Sequence, residues 1–226
     1  MANDGGSSSH LSTSLTDLMI SLMVIFVLLL VVHLNNKSAE AENTRKKAEN
    51  AREILLNEFT DKFEKFAAVP GEEVTVRKDD KDPFGILVIV PEKLFNFKTA
   101  DDTIPPGGIV FLQDFAPLLA ELACDEHFKN DISSIVVEGH ADSDGNDVVN
   151  FDLSLRRAGS VVREILKNTE GQRELEECFL DCLSAAGRGK RDLLKDDGEE
   201  NKDRSRRVVL KVRARSPDEI QRFLEK

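Results

Sequence analysis

Between Leu18 and Val32 the chain runs through fifteen residues of which only Ser21 is polar. Extended from Leu11 to Leu34 the run is 24 residues long, and a helix needs about 20 to cross the hydrocarbon core of a bilayer. Such a segment must satisfy its backbone polar groups internally, so it is a helix or nothing. The run predicts a single transmembrane helix over 11–34. One residue resists that environment. Asp17 lies just inside the near boundary, where an ionisable group is costly unless it is partnered or can shed its charge. Acidic residues placed this way are candidates for ion or proton pathways. Ser21, four residues on, shares the helix face of Asp17, so that side is expected to face protein.

Two blander accounts compete. A cleaved signal peptide also begins with an apolar run, and Ala39-Glu40-Ala41 offers small residues for cleavage. Residues 1 to 16 contain no Lys or Arg, however, so the basic n-region is missing. A plain anchor with an incidental carboxylate is the other. The rest of the chain has to decide.

Some 190 residues follow the span, enough for one ordinary domain and a linker. The formal net charge of −11 argues against a nucleic-acid partner. Residues 1–10 read as a flexible tail. From 35 to 68 the sequence is rich in Ala, Glu, Lys and Asn and lacks Gly and Pro, the composition of a helix continuing the span. Leu56, Phe59, Phe63 and Phe66 recur at spacings of a short coiled-coil seam, so the helical linker is either a solvated single helix or, on the sharper reading, one that pairs with a second copy.

Residues 69–226 read as an α+β domain. Strands are expected at Val74–Val76, Ile86–Val90, Ile132–Glu138, Leu183–Ala186 and Val208–Val212, with a charged loop over 188–206. Helices are expected at Phe111–Cys124, Phe151–Lys167 and from Pro217 to Glu225. Pro117 predicts a kink in the first, or a later start. Three cysteines, Cys124, Cys178 and Cys182, show no metal-site spacing. Outside the cytoplasm Cys124 has either of the other two as a disulfide partner; in a reducing compartment all three are expected as buried thiols. The sequence contains no nucleophile elbow, phosphate-binding loop or metal cluster, so neither an enzyme nor a bound cofactor is expected.

The most specific soluble pattern is Val137-Glu138-Gly139-His140-Ala141-Asp142, then Asn150, then Leu153-Ser154-Leu155-Arg156-Arg157-Ala158, and late in the chain Arg206-Arg207-Val208. This resembles the OmpA-like peptidoglycan-binding domain, a two-layer α/β sandwich, over about Phe84 to Arg213. The resemblance implies that Asp142 and Arg157 grip the diaminopimelate of a peptidoglycan stem. Asn150 is implied as a hydrogen-bonding residue, and Arg207 as a residue that closes the site. The chemistry is coherent: a zwitterionic end needs one anion and one planar cation able to fork two hydrogen bonds. His140 reads as a structural residue fixing the loop. Two departures stand out, the Asp-rich loop Asp142, Asp144 and Asp147, and Ser205 in place of the usual Asn.

A span with one acidic residue, a helical linker and such a domain together resemble the MotB-like family of stator subunits. The run Asp17-Leu18-Met19-Ile20-Ser21-Leu22-Met23-Val24-Ile25-Phe26 is similar to that family's span. The short tail and long linker bring it nearest to the ZorB branch, from the Zorya anti-phage defence systems. The resemblance implies a homodimer inside a pentameric ring of a MotA/ZorA-like polytopic partner, in a bacterial inner membrane. It also implies that Asp17, with Ser21 as second ligand, carries H+ or Na+ while the C-terminal domain holds peptidoglycan. A passive cell-wall tether is the competing reading.

Topology poses a conflict. Lys37, Arg45, Lys46 and Lys47 follow the span and nothing basic precedes it. The positive-inside rule would keep the C-terminus in the cytoplasm, whereas a peptidoglycan reader belongs in the periplasm. Glu40, Glu42 and Glu49 are interspersed with these bases, and the binding pattern favours the periplasm.

Overall fold

The computed structural model describes residues 7–63, 67–69, 72–90, 92–171 and 173–224. It divides into two units, Met1–Lys46 and Lys47–Lys226. Helix α1 (Ser7–Phe63) runs through the boundary between them, as a stretch without Gly or Pro allows. The expected tail is shorter than residues 1–10, because the chain is helical from Ser7; residues 1–6 lie outside the described part.

In the first unit every large apolar side chain from Leu15 to Leu34 is exposed. An apolar surface of that extent has no place in water and calls for lipid or protein around it.

In the second unit the end of α1 behaves differently. Ala48, Leu55, Phe59 and Phe63 are fully buried. The ring of Phe63 lies 4.8 Å from that of Phe115. Glu53 on α1 pairs with Lys78 at 2.6 Å, and Arg52 donates to the Pro83 carbonyl. This corrects the coiled-coil expectation. Phe59 and Phe63 are not a seam for a second copy but part of this domain's own core, Leu56 is only partly buried, and Phe66 lies outside the described residues. Burying a Phe is worth roughly 1.5–3 kcal/mol. An intramolecular site gains this without the entropy cost of association. The domain therefore begins near Lys47 rather than at residue 69.

The core of this unit is a five-stranded mixed sheet. A short hairpin comes first, β1 (Ala67–Val69) with β2 (Glu72–Glu73). The sheet comprises β3 (Thr75–Lys78), β4 (Gly85–Ile89), β5 (Ile132–Gly139), β6 (Leu183–Gly187) and β9 (Val208–Ala214), in the order β3-β4-β9-β5-β6. All neighbours are antiparallel except β5 and β6, which are parallel. A parallel pair needs a crossover, supplied by α3 (Asp147–Thr169) and α4 (Arg173–Cys182). Helix α2 (Pro106–Cys124) packs beside α3. Alternate residues of the central strands, among them Ile135, Val137, Leu210 and Val212, are fully buried in the core shared with these helices. Two layers, sheet and helices, give the expected α+β sandwich.

Three local readings change. Helix α2 starts earlier than its apolar periodicity, with Pro106 in its first turn, and continues across Pro117; proline is well suited to the first turn, where its missing N–H goes unused. Helix α3 starts at Asp147, because the Asn146 side chain accepts from the Val149 N–H at 2.9 Å and caps it. Helix α4 was not expected; it carries Cys178 and Cys182. The charged loop folds into a small hairpin, β7 (Lys195–Asp196) with β8 (Glu199–Glu200), and a single turn, α5 (Lys202–Ser205). The chain's last described helix is α6 (Pro217–Leu224).

Candidate functional site

The site lies where β5 ends. Gly139 terminates the strand against α3, and a Cβ there would stand 2.0 Å from the Ser154 carbonyl oxygen, so the backbones touch only because the residue is glycine. His140 N–H donates to Arg207 O, and Ala141 N–H to Gly189 O. The His140 ring is buried with Nδ1 3.3 Å from Arg191 O. Burial, with the charge of Arg207 adding to it, depresses its pKa to about 4. A neutral buried imidazole bonded to backbone is a brace for the loop, not a proton carrier at neutral pH.

The loop Asp142–Asn146 turns at Gly145, whose φ is +84°. Asn150, 4% exposed, reaches back from α3 and donates to Asp144 O at 2.6 Å and Asp142 O at 3.3 Å. Its role in the structure is to shape this loop. From the other side the β7–β8 hairpin and α5 close over it: Glu200 accepts from Ser143 N–H at 3.0 Å, and Lys202 pairs with Asp144 at 2.6 Å.

Arg157, from the second turn of the Leu153–Ala158 motif, is the largest fully buried side chain. Its Nε donates to Asp101 O and its Nη2 to Lys98 O, both at 3.0 Å, and the guanidinium stands 5.0 Å from the centre of the Phe97 ring. Nη1 is buried and has no partner among the described residues. Burial lowers the Arg157 pKa to about 10, the nearby Arg206 charge pushing the same way and Asp142 opposing. The group therefore remains cationic at neutral pH, with one donor nitrogen, Nη1, unused. An orphaned buried N–H on a charged group is costly and calls for a ligand.

Asp142 and Arg157 form no salt bridge with each other. Asp142 Oδ2 is instead 2.6 Å from Nη1 of Arg206. Arg206 also pairs with Asp203, and its buried Nε has no partner among the described residues. Arg157 feels the charges of both Arg206 and Asp142. Arg207, the expected closing residue, donates to Asp192 O at 3.0 Å and braces the 192–205 segment. The sequence reading missed Arg206; the adjacent Arg206-Arg207 pair was the available signal, and only strand register tells which of the two meets Asp142.

Residues 110–207 match the model of the OmpA family. Over that stretch the C-terminal unit is OmpA-like. The fold agrees: a MotB-like protein from Desulfovibrio vulgaris superposes with a TM-score of 0.51 at 20% identity, covering 76% of this chain and 96% of that one. The likeness in sequence extends beyond the OmpA-like domain. Zorya protein ZorB of Escherichia coli O139:H28 (strain E24377A / ETEC) is 27% identical over 207 residues, 88% of this chain and 78% of its own length. Zorya protein ZorB of Escherichia coli (strain ATCC 8739 / Crooks) is 23% identical over 225 residues, 94% of this chain and 91% of its own.

Two further features lie outside this loop cluster. Cys124 and Cys178 form a disulfide that ties α2 to α4, and Cys182 is free, its thiol pushed up to about 11 by burial. In the first unit Asp17 and Ser21 are exposed on α1, four residues apart and on one helix face.

Proposed function

We propose that the chain is a membrane-anchored stator subunit that couples ion flow at Asp17 to work against the cell wall. The observation that carries this is the presence, on one chain, of a carboxylate in an unpartnered apolar helix and an OmpA-like domain whose buried Arg157 keeps an unused donor. The ligand is the zwitterionic diamino-acid end of a peptidoglycan stem. Its carboxylate meets Arg157 Nη1 and its ammonium meets Asp142, which Arg206 orients. Asn150 keeps the loop in shape for both, and Arg207 braces the segment that closes over it.

The α1 span crosses the inner membrane with its N-terminus in the cytoplasm. Residues 47–226 lie in the periplasm. The Cys124–Cys178 bridge supports that orientation over the one the basic residues after the span favour, since disulfides persist in oxidising compartments. Two copies sit within a ring of five MotA/ZorA-like polytopic subunits. Asp17 loses its charge on taking up H+ or Na+, with Ser21 as an auxiliary oxygen ligand, and regains it on release. Each cycle changes which contacts with the ring are favourable. The membrane potential supplies about 2.3 kcal/mol per charge per 100 mV. The wall-bound domain keeps the subunit from turning with the ring. The likeness to the ZorB proteins favours anti-phage defence as the setting.

The test is Asp17→Asn in the full chain, co-expressed with a MotA/ZorA-like polytopic partner. Phage restriction is expected to vanish while membrane insertion and peptidoglycan retention stay at wild-type levels. Full restriction by the variant rules out ion coupling and leaves a passive tether.

A further inference from the structure

The sheet has two edges, and they are not alike. The β3 edge carries Arg77 and Lys78, and Lys78 is tied to Glu53 on α1. Charged side chains are the usual guard against edge-to-edge pairing. The other edge, β6, reads Leu183-Ser184-Ala185-Ala186-Gly187 and has neither charge nor proline. It pairs only with β5, so its outward N–H and C=O groups are unused among the described residues. Beside it, along α3, Val148, Phe151 and Leu155 stand exposed. Phe151 and Leu155 flank the end of β6 closely, with backbone and Cβ atoms under 3 Å from where a Cβ on Gly187 would stand. A cavity of about 570 Å³ opens there, between the start of α3 and the Gly187–Arg191 turn.

The charges flanking this strand are polarised. Asp181, exposed at the end of α4, precedes β6. Arg188, Lys190 and Arg191 follow it. Arg188 is engaged by Asp192 and Lys190 by Asp147, whereas the exposed Arg191 side chain has no partner among the described residues. An antiparallel pairing of β6 with a second β6, centred on Ala185, sets the acidic end of each strand against the basic end of the other. The edge is self-complementary in charge, and a two-fold axis repeats each contact. That complementarity is what lets two copies meet in a chain whose net charge of −11 would otherwise keep them apart.

We infer that β6 and the exposed face of α3 form the surface through which two OmpA-like domains of this chain pair, joining their sheets edge to edge. This gives a surface to the two-copy reading above and rests on it. The apolar side chains of α3 then cover each other over the joined sheets, as hydrophobic flanking contacts do in strand addition.

The experiment is site-directed cross-linking of the full chain in membranes, oxidised with copper phenanthroline, in a Cys182→Ser background. Ala185→Cys is expected to give a disulfide-linked dimer, with weaker bands from Ser184→Cys and Ala186→Cys and none from Val110→Cys on α2. Asp181→Arg or Arg191→Glu should each lower the Ala185→Cys product roughly fivefold, as paired charges across strands predict, and the double variant should restore it. No product at 184, 185 and 186 overturns the inference, and so does a product that ignores the charge reversals. A second probe separates this from the reading beneath it. If Val31→Cys in the span still cross-links, two copies are present and pair elsewhere; if it does not, the two-copy reading fails as well.

Discussion

Asp142 is held by Arg206, at 2.6 Å, and both side chains are largely buried. Arg157, the partner that motif spacing offers, spends two of its three nitrogens on the backbone of residues 98 and 101 and keeps the third, Nη1, unpartnered among the described residues. The arrangement presents an anion and an unused cationic donor to a ligand instead of cancelling them against each other.

Arg157→Lys and Asp142→Asn should therefore each lower affinity for a diaminopimelate-containing muropeptide by about 10- to 100-fold, the worth of a charge-assisted hydrogen bond. Isothermal titration against the full chain in detergent measures it. Lysine keeps the charge but cannot keep both backbone contacts and the free donor, so retained affinity in Arg157→Lys would show that the ligand sits elsewhere.

The two adjacent arginines should separate. Arg206→Gln removes the group that orients Asp142 and should weaken muropeptide binding by roughly tenfold. Arg207→Gln breaks the contact to Asp192 O and should lower the melting temperature while leaving affinity near wild type. The same titration, paired with thermal denaturation, distinguishes them.

Reducing the Cys124–Cys178 bridge, whose sequence separation is 54, should destabilise the domain by about 4 kcal/mol through the freed loop of the unfolded chain. In a domain of this size that is a fall in Tm of about 10 °C. Thermal melts with and without reductant, and of a Cys124→Ser/Cys178→Ser variant, should agree. An unchanged Tm would mean the bridge constrains nothing that unfolding releases.

Acid should loosen the domain in a defined window. His140 titrates near 6.5 when unfolded and near 4 when folded, so the unfolded state binds the proton first. Stability is full above pH 6.5 and declines as pH falls from there to about 4, by about 3 kcal/mol in all. Glu219, whose pKa is lowered to about 2 despite partial burial, by the Ser216 N–H and hydroxyl, Ser133 and Arg213, adds a second loss from about pH 4.5 downward. Urea titrations between pH 7 and 4 read the first window, and His140→Asn should flatten it without touching the second.

Much of this molecule was legible in the chain. The apolar run with Asp17 sets a helix by length alone, and the alternation in residues 132–138 and 208–212 sets two strands, because those signals are local. The motif residues His140, Asp142, Asn150 and Arg157 also come together around one loop, since motif order follows the β5–α3 connection. The end of α1 was misread for the opposite reason. The spacing of Leu56, Phe59, Phe63 and Phe66 looks the same whether the helix meets a second helix or its own domain, and periodicity carries no information about the partner.

The sequence by itself determined that there is one apolar span with a carboxylate in it, an α+β domain behind it, and a loop set of one carboxylate and several arginines. Only the tertiary structure decided which charges meet. Arg206 and Asp142 are 64 residues apart in the chain and become neighbours because β9 runs antiparallel between β4 and β5. Cys124 takes Cys178 and leaves Cys182 because α4 turns the former toward α2. Such choices depend on register and helix rotation, which arise when distant strands pair and the core closes, and no local pattern records them.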